Sequence, residues 1–319
     1  MINLRYHIVS LVAVFLALGL GIIMGSTVID RVTVDALNNN LDDVRRSVGA
    51  IREENRKLGD QVRQGQDFAV TTRDELLRGH LRNIPVMVVA ISGVDRRPVD
   101  AVRQALVGAQ ATMEGTIWFT SKMRLANDGD VRALATALDI PFNSPEVVRR
   151  QALAKVASAR ESASTDTSPL AALQTAGFLT YEGPPTTTTS TGAQSATTGT
   201  IPSSLTSLPL ANTRYLVVSG AGAEVGDDVV ALPLVQAYAQ ASGRVVAAES
   251  GVDSDGGRAV FVGRLRGDPV FGRLSTVDNL ESPMGQAAAV LALEDLGVPR
   301  FGHYGVGPGA QRVVPSATP

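Results

Sequence analysis

The sequence predicts an α/β protein carried on an N-terminal transmembrane helix and a parallel dimeric coiled coil, with a mainly parallel sheet in the body. Three patterns predict it: an uncharged apolar run over residues 8–25, a heptad repeat over residues 34–76, and strand patterns alternating with helix patterns from residue 84 onward. The expected division is a membrane signal anchor at 1–26, a coiled coil at 27–82 and an extracytoplasmic α/β domain at 83–319. A Thr/Ser-rich disordered insertion is expected at 183–209.

The apolar run, IVSLVAVFLALGLGIIMG, has 18 residues and no charge. At about 1.5 Å of rise per residue it is just long enough to cross a hydrocarbon core. Ala13, Ala17, Gly21 and Gly25 recur every fourth residue and form a smooth stripe, with Gly21 and Gly25 as a G-x-x-x-G pair that lets a second backbone approach closely. Arg5 precedes the run and Asp30 and Arg31 follow it, which favours an inside N-terminus and a body outside the cytoplasm.

With Val34 at position a, the seam carries Val34, Leu41, Val48, Asn55 and Val62 at a, and Leu37, Val44, Ile51 and Leu58 at d. Mostly β-branched residues at a favour two parallel strands, and a polar Asn55 at a fixes register at some cost in stability. The dimerisation residues are therefore Ala13, Ala17, Gly21, Gly25, Leu37, Leu41, Val44, Val48, Ile51, Asn55, Leu58 and Val62. Asp42 with Arg46 and Glu53 with Lys57 stand at i,i+4 in the favourable order. The pattern weakens after Leu58, and Gly79 is the expected stop before Pro85.

Residues 84–91 form a continuous apolar run, as in a strand buried on both faces. Pro98 opens a helical pattern to residue 109, a strand follows at 116–120 and a helix at 130–138. Two further helices are expected at 145–159 and 169–176. Beyond the Thr/Ser-rich stretch come a strand at 215–219, a helix at 227–241 and strands at 244–248 and 259–262. Ser282 as N-cap and Pro283 in the first turn start a last helix that Gly297 ends. Strand and helix in alternation signal a parallel α/β layer.

Between strand and helix, Gly220, Gly222 and Gly226 are spaced G-x-G-x-x-x-G. Glu224, Asp227 and Asp228 lie beside them with no Lys, so the turn reads as structural rather than phosphate-binding. Arg266-Gly267-Asp268 reads as a surface turn, and His303 as a loop histidine bonded to backbone. No G-x-S-x-G elbow, H-E-x-x-H or P-loop is present, which argues against an enzyme. The charge balance, 29 Lys+Arg against 31 Asp+Glu, and the lack of a basic cluster argue against a nucleic-acid partner. Cysteine is absent, so disulfides, thiolate ligands and thiol catalysis are excluded. No cofactor is expected.

Two separated pieces, RYHIVSLVAVFLALGLGIIMGS at the N-terminus and STVDNLESPMGQAAAVLALEDLG with the later GHYG, resemble the actinobacterial MctB family, and the layout is similar to SteB-like coiled-coil envelope proteins. The resemblance implies an envelope protein in copper efflux or homeostasis. The alternative it leaves open is a dimeric scaffold binding a membrane-protein partner in cell division or cell-wall regulation. It implies no particular ligand residue. Copper(I) favours Cys or clustered Met with His. Here His7, His80 and His303 are scattered, and Met87, Met113, Met123 and Met284 read as core fillers. One apolar span without polar lining is not a pore by itself, so transport through this chain would need oligomers or a partner.

Overall fold

The computed structural model describes residues 4–159, 168–185, 205, 208–251, 260–298 and 300–316, with backbone alone at 4, 26–36, 38 and 39. The chain divides into two compact units, Met1–Gly65 and Gln66–Pro319.

Helix α1 (Leu4–Leu77) makes up the first unit and contributes its last three turns to the second. Its segment Arg5–Gly25 has a mean hydropathy of 2.6 and is long and apolar enough to cross a membrane. None of that segment is buried by protein. Further along, charge pairs form at i,i+3 rather than the expected i,i+4: Asp42 with Arg45 (3.3 Å), Asp43 with Arg46 (2.7 Å) and Glu53 with Arg56 (3.1 Å). Both spacings put side chains one turn apart, and the exposed pairs are worth a few tenths of a kcal/mol at most.

In the second unit, a seven-stranded sheet has the order β3-β2-β1-β4-β5-β6-β7. Its strands are β1 (Pro85–Ile91), β2 (Thr112–Phe119), β3 (Leu179–Glu182), β4 (Arg214–Gly220), β5 (Val245–Ser250), β6 (Ser275–Val277) and β7 (His303–Tyr304). All neighbours run parallel except β3 on β2. Every residue of β5 and all but the first of β1 are buried, because helices cover both faces.

The helices are α2 (Arg96–Gly108), α3 (Asp128–Ala137), α4 (Pro145–Ala157), α5 (Pro169–Thr175), α6 (Ala231–Ala241), α7 (Phe261–Gly267) and α8 (Pro283–Asp295). Their starts follow local chemistry. Asp95 accepts from Arg97 N at α2, Asn127 from Asp130 N at α3 and Ser282 from Gly285 N at α8, each filling a donor the first turn leaves unpaired. Prolines occupy the first turns of α4, α5 and α8, where the missing N–H costs nothing. α2 packs on α8, while α4 packs on α3 and α6.

Several expectations need correction. Of the strand expected at 259–262, residue 259 lies outside the described residues and the rest is not a strand: Phe261, Val262 and Leu265 are buried on helix α7, a short apolar run being ambiguous between the two forms. The antiparallel β3 and the three-residue β6 lack a strand pattern of their own and are set by their neighbours. The 227–241 helix begins only at Ala231. Most of the 183–209 insertion lies outside the described residues, but Leu205 and Leu208 are core residues. The surrounding Thr and Ser mask these leucines in a composition window.

Between β1 and β4 the connections depart in opposite directions, the place where open α/β sheets hold ligands at the strands' carboxyl ends. Here the chain fills it. Glu224 N donates to Ser92 O (2.7 Å), and Arg124 donates to Glu224 O. Gly93 (φ +94°) and Gly222 (φ +83°) meet backbone to backbone: a methyl on Gly222 would lie 2.7 Å from Gly93 O, and one on Gly93 would lie 2.9 Å from Glu224 N. The glycine turn is structural, as its carboxylates suggest.

Gly93→Ala combines a left-handed φ with a backbone clash and should cost more than about 3 kcal/mol. Gly263→Ala, on helix α7 with open space at its Cβ, should be neutral or slightly stabilising. Thermal melts of the two variants beside the wild type check both outcomes.

Candidate functional site

The twelve expected dimerisation residues all lie on α1 in the first unit, and all are exposed in a single chain. Nothing approaches within 4 Å of where a Cβ would sit on Gly21 or Gly25. The apolar seam side chains from Leu37 to Val62 stay 39–58 % exposed, a stripe that one chain leaves uncovered. The seam ends where the helix joins the body. Arg73 and Leu77 are buried while Leu76, at an a position, faces outward.

That last part of α1 is fastened by α8. Arg73 donates to Gln286 Oε1, and Gln286 Nε2 donates to Leu280 O (3.1 Å). Arg73 also pairs with Asp74 (2.6 Å). His80 Nδ1 lies 2.7 Å from Glu294 Oε2 at the far end of α8. Gly285 admits no side chain, since a Cβ there would overlap the carbonyl of Asn279. Gln286 of the motif thus ties Arg73, in the last turns of α1, to the loop before α8.

STVDN and GHYG converge on a second buried contact. Asp278 follows β6 and Arg266 lies on α7, and their side chains are only 8 % and 5 % exposed at 2.7 Å separation. Arg266 also donates to Thr276 Oγ1 (3.0 Å), Tyr304 O (2.7 Å) and Pro308 O (2.9 Å). Asp278 accepts from Val306 N (2.7 Å) and Gly307 N (2.9 Å), and a side chain on Gly305 would occupy the same space as its carboxylate. Arg266 is therefore no surface turn. Twelve residues separate it from its partner, so neither helical nor strand periodicity reveals the pair. His303 lies in β7 rather than a loop, with its Nδ1 3.0 Å from Thr276 Oγ1. Burial first, then Arg266, lowers its pKa and favours the neutral ring.

Glu249, at the end of β5, accepts from Val262 N (2.6 Å). Burial pushes its carboxyl up to about 7, with Asp227 and Asp278 adding to the effect. Among the described residues no group of three or more His, Cys, Asp or Glu is placed to hold a metal ion. Met87, Met113 and Met123 are core residues, whereas Met284 is exposed.

Fold and site define an α/β protein joined to an apolar N-terminal helix, with its ligand crevice filled by its own backbone and its motifs built into the frame. The chain belongs to the MctB family: the model described as "Copper transport outer membrane protein, MctB" matches residues 1–315. It is similar to "Copper transporter MctB" of Mycobacterium bovis, at 25% identity over 338 aligned positions covering 99% of this chain and 100% of the relative. The protein of that name from Mycobacterium leprae is 26% identical over 338 positions, covering 98% and 99%.

Asp278→Leu strands a buried guanidinium and should cost about 3–5 kcal/mol, a fall in Tm of roughly 2–4 °C per kcal/mol for a body of this size. The raised pKa of Glu249 contributes stability that is complete below the usual 4.5 and is lost as pH rises through about 7. Glu249→Gln should therefore raise Tm relative to wild type at pH 8 and much less at pH 5, as read by calorimetry at both values.

Proposed function

We propose that this chain is a single-pass envelope protein with a part in copper efflux or homeostasis, acting without enzymatic chemistry as a parallel homodimer. The observation that carries the copper reading is the family match along residues 1–315, together with relatives named as copper transporters over their full length. The apolar segment Arg5–Gly25 supports anchoring in lipid, with the N-terminus inside and the body extracytoplasmic.

Two features favour assembly as the source of any copper route. One span with an apolar surface offers no polar lining, and the described residues bring no group of three or more His, Cys, Asp or Glu together to hold a metal ion. The route then forms between copies or with a membrane-protein partner. The exposed seam from Leu37 to Val62 supports the first, since a two-stranded coil buries such a stripe, with Asn55 paired across it.

Because the chain has no cysteine, single substitutions report on the pairing directly. Val48→Cys and Ile51→Cys on the seam should give a cross-linked species of twice the mass in oxidised membranes, and Arg46→Cys on the outer side should not. Cross-linking at all three positions alike, or at none, would remove the dimer. In a strain lacking the gene, cell copper measured by mass spectrometry should rise and the full chain should restore it. Unchanged copper content would remove the copper reading.

A further inference from the structure

The buried Glu114 belongs to neither the motif network nor the seam. In the parallel pairing of β1 with β2, Val86 faces Met113 and Met87 faces Gly115, so Glu114 is an extra residue bulged out of β2. Gly115 sustains the bulge at φ +110°, where a methyl group would lie 2.6 Å from the Tyr181 ring. Tyr181 Oη closes it by donating to Glu114 O (2.7 Å).

The bulge sends a carboxylate into the body with no exposure to solvent. Its Oε1 accepts from Leu210 N (3.3 Å) and from Thr213 Oγ1, whereas Oε2 is buried and meets no donor. Both donors belong to the segment that leads into β4. Ser168 Oγ bonds that segment at Leu208 O (3.2 Å), and Leu210 to Thr213 line a cavity of about 610 Å³ with Tyr215 and Arg244.

We propose that Glu114 is a pH-responsive latch: protonated, it holds residues 208–213 against the sheet, and ionised, it releases them. The groups around it are Tyr181 on β3, Tyr215 on β4 and Tyr238 on α6, all phenols held neutral by burial. The cations whose charge acts on these phenols are Arg103 on α2, at Tyr181, and Arg244 before β5, at Tyr215. Burial is the leading influence on the carboxyl and raises it from 4.5 to about 7, with Thr213 and Leu210 pulling it back only in part. An ionised carboxylate with one oxygen unsolvated is costly in such a site. Admitting water from the side of the cavity requires the 208–213 segment to move.

The test is thermolysin cleavage of the full chain in detergent at pH 6 and pH 8, with cuts between residues 208 and 213 located by mass spectrometry. Cleavage of a transiently opened segment follows its open population. The ionised fraction of a group with its midpoint near 7 rises about tenfold across that interval. The ratio of wild-type to Glu114→Gln cleavage cancels the protease's own pH dependence and should rise at least fivefold. Thr213→Val, which removes a donor from the ionised form, should move the midpoint of the wild-type rise upward in pH, and Glu249→Gln should leave it in place. A ratio equal at both pH values, or a midpoint that follows Glu249→Gln, overturns the latch. If Glu114→Gln fails to fold by circular dichroism, the midpoint with Thr213→Val decides alone, and no shift there overturns it.

Discussion

The carboxyl half of the body hangs on the contact between Arg266 and Asp278. β6 has three residues and β7 two, too short to hold position by ladder hydrogen bonds alone. The guanidinium uses its donors on both strands and on the segment beyond them, and the carboxylate takes two backbone N–H groups in return. A buried pair satisfied this fully fixes a geometry more than it adds stability. Residues of α7, the β6 turn and the C-terminal stretch become one piece around it.

The STVDNLESPMGQ and GHYG blocks carry structural work on two sides. One side is the ion pair, and the other is the Gln286 joint that receives the last turns of α1. A motif with Asp, Asn, Ser and His invites a search for ligands, yet the polar atoms of Asp278, Gln286 and Ser282 are spent on backbone, cap or guanidinium. The neighbouring crossover at β1 and β4 is likewise filled, by two glycines in contact.

Much of the architecture was legible from local pattern. The apolar run, the buried β1 and the Ser282-Pro283 helix start each follow from residues close in sequence. The weakening of the heptad pattern was visible, but the partner of the buried Arg73 was not, because Gln286 on α8 lies 213 positions away. The same is true of the Arg266 contact and of Glu114, whose environment is made by a bulge and by donors 96 and 99 residues downstream. β3 and β6 gain their strand form from neighbours, which no single segment reveals. Short apolar runs such as the start of α7 fit helix and strand alike until packing selects one.

Both borders of the sheet are short. β3 offers four residues running against its neighbour, and β7 offers two, partly occupied by a bridge from Tyr304 to Arg312. Short, irregular borders give another molecule little backbone to pair with. Among the described residues the sheet is thereby protected from growing edge to edge into aggregates.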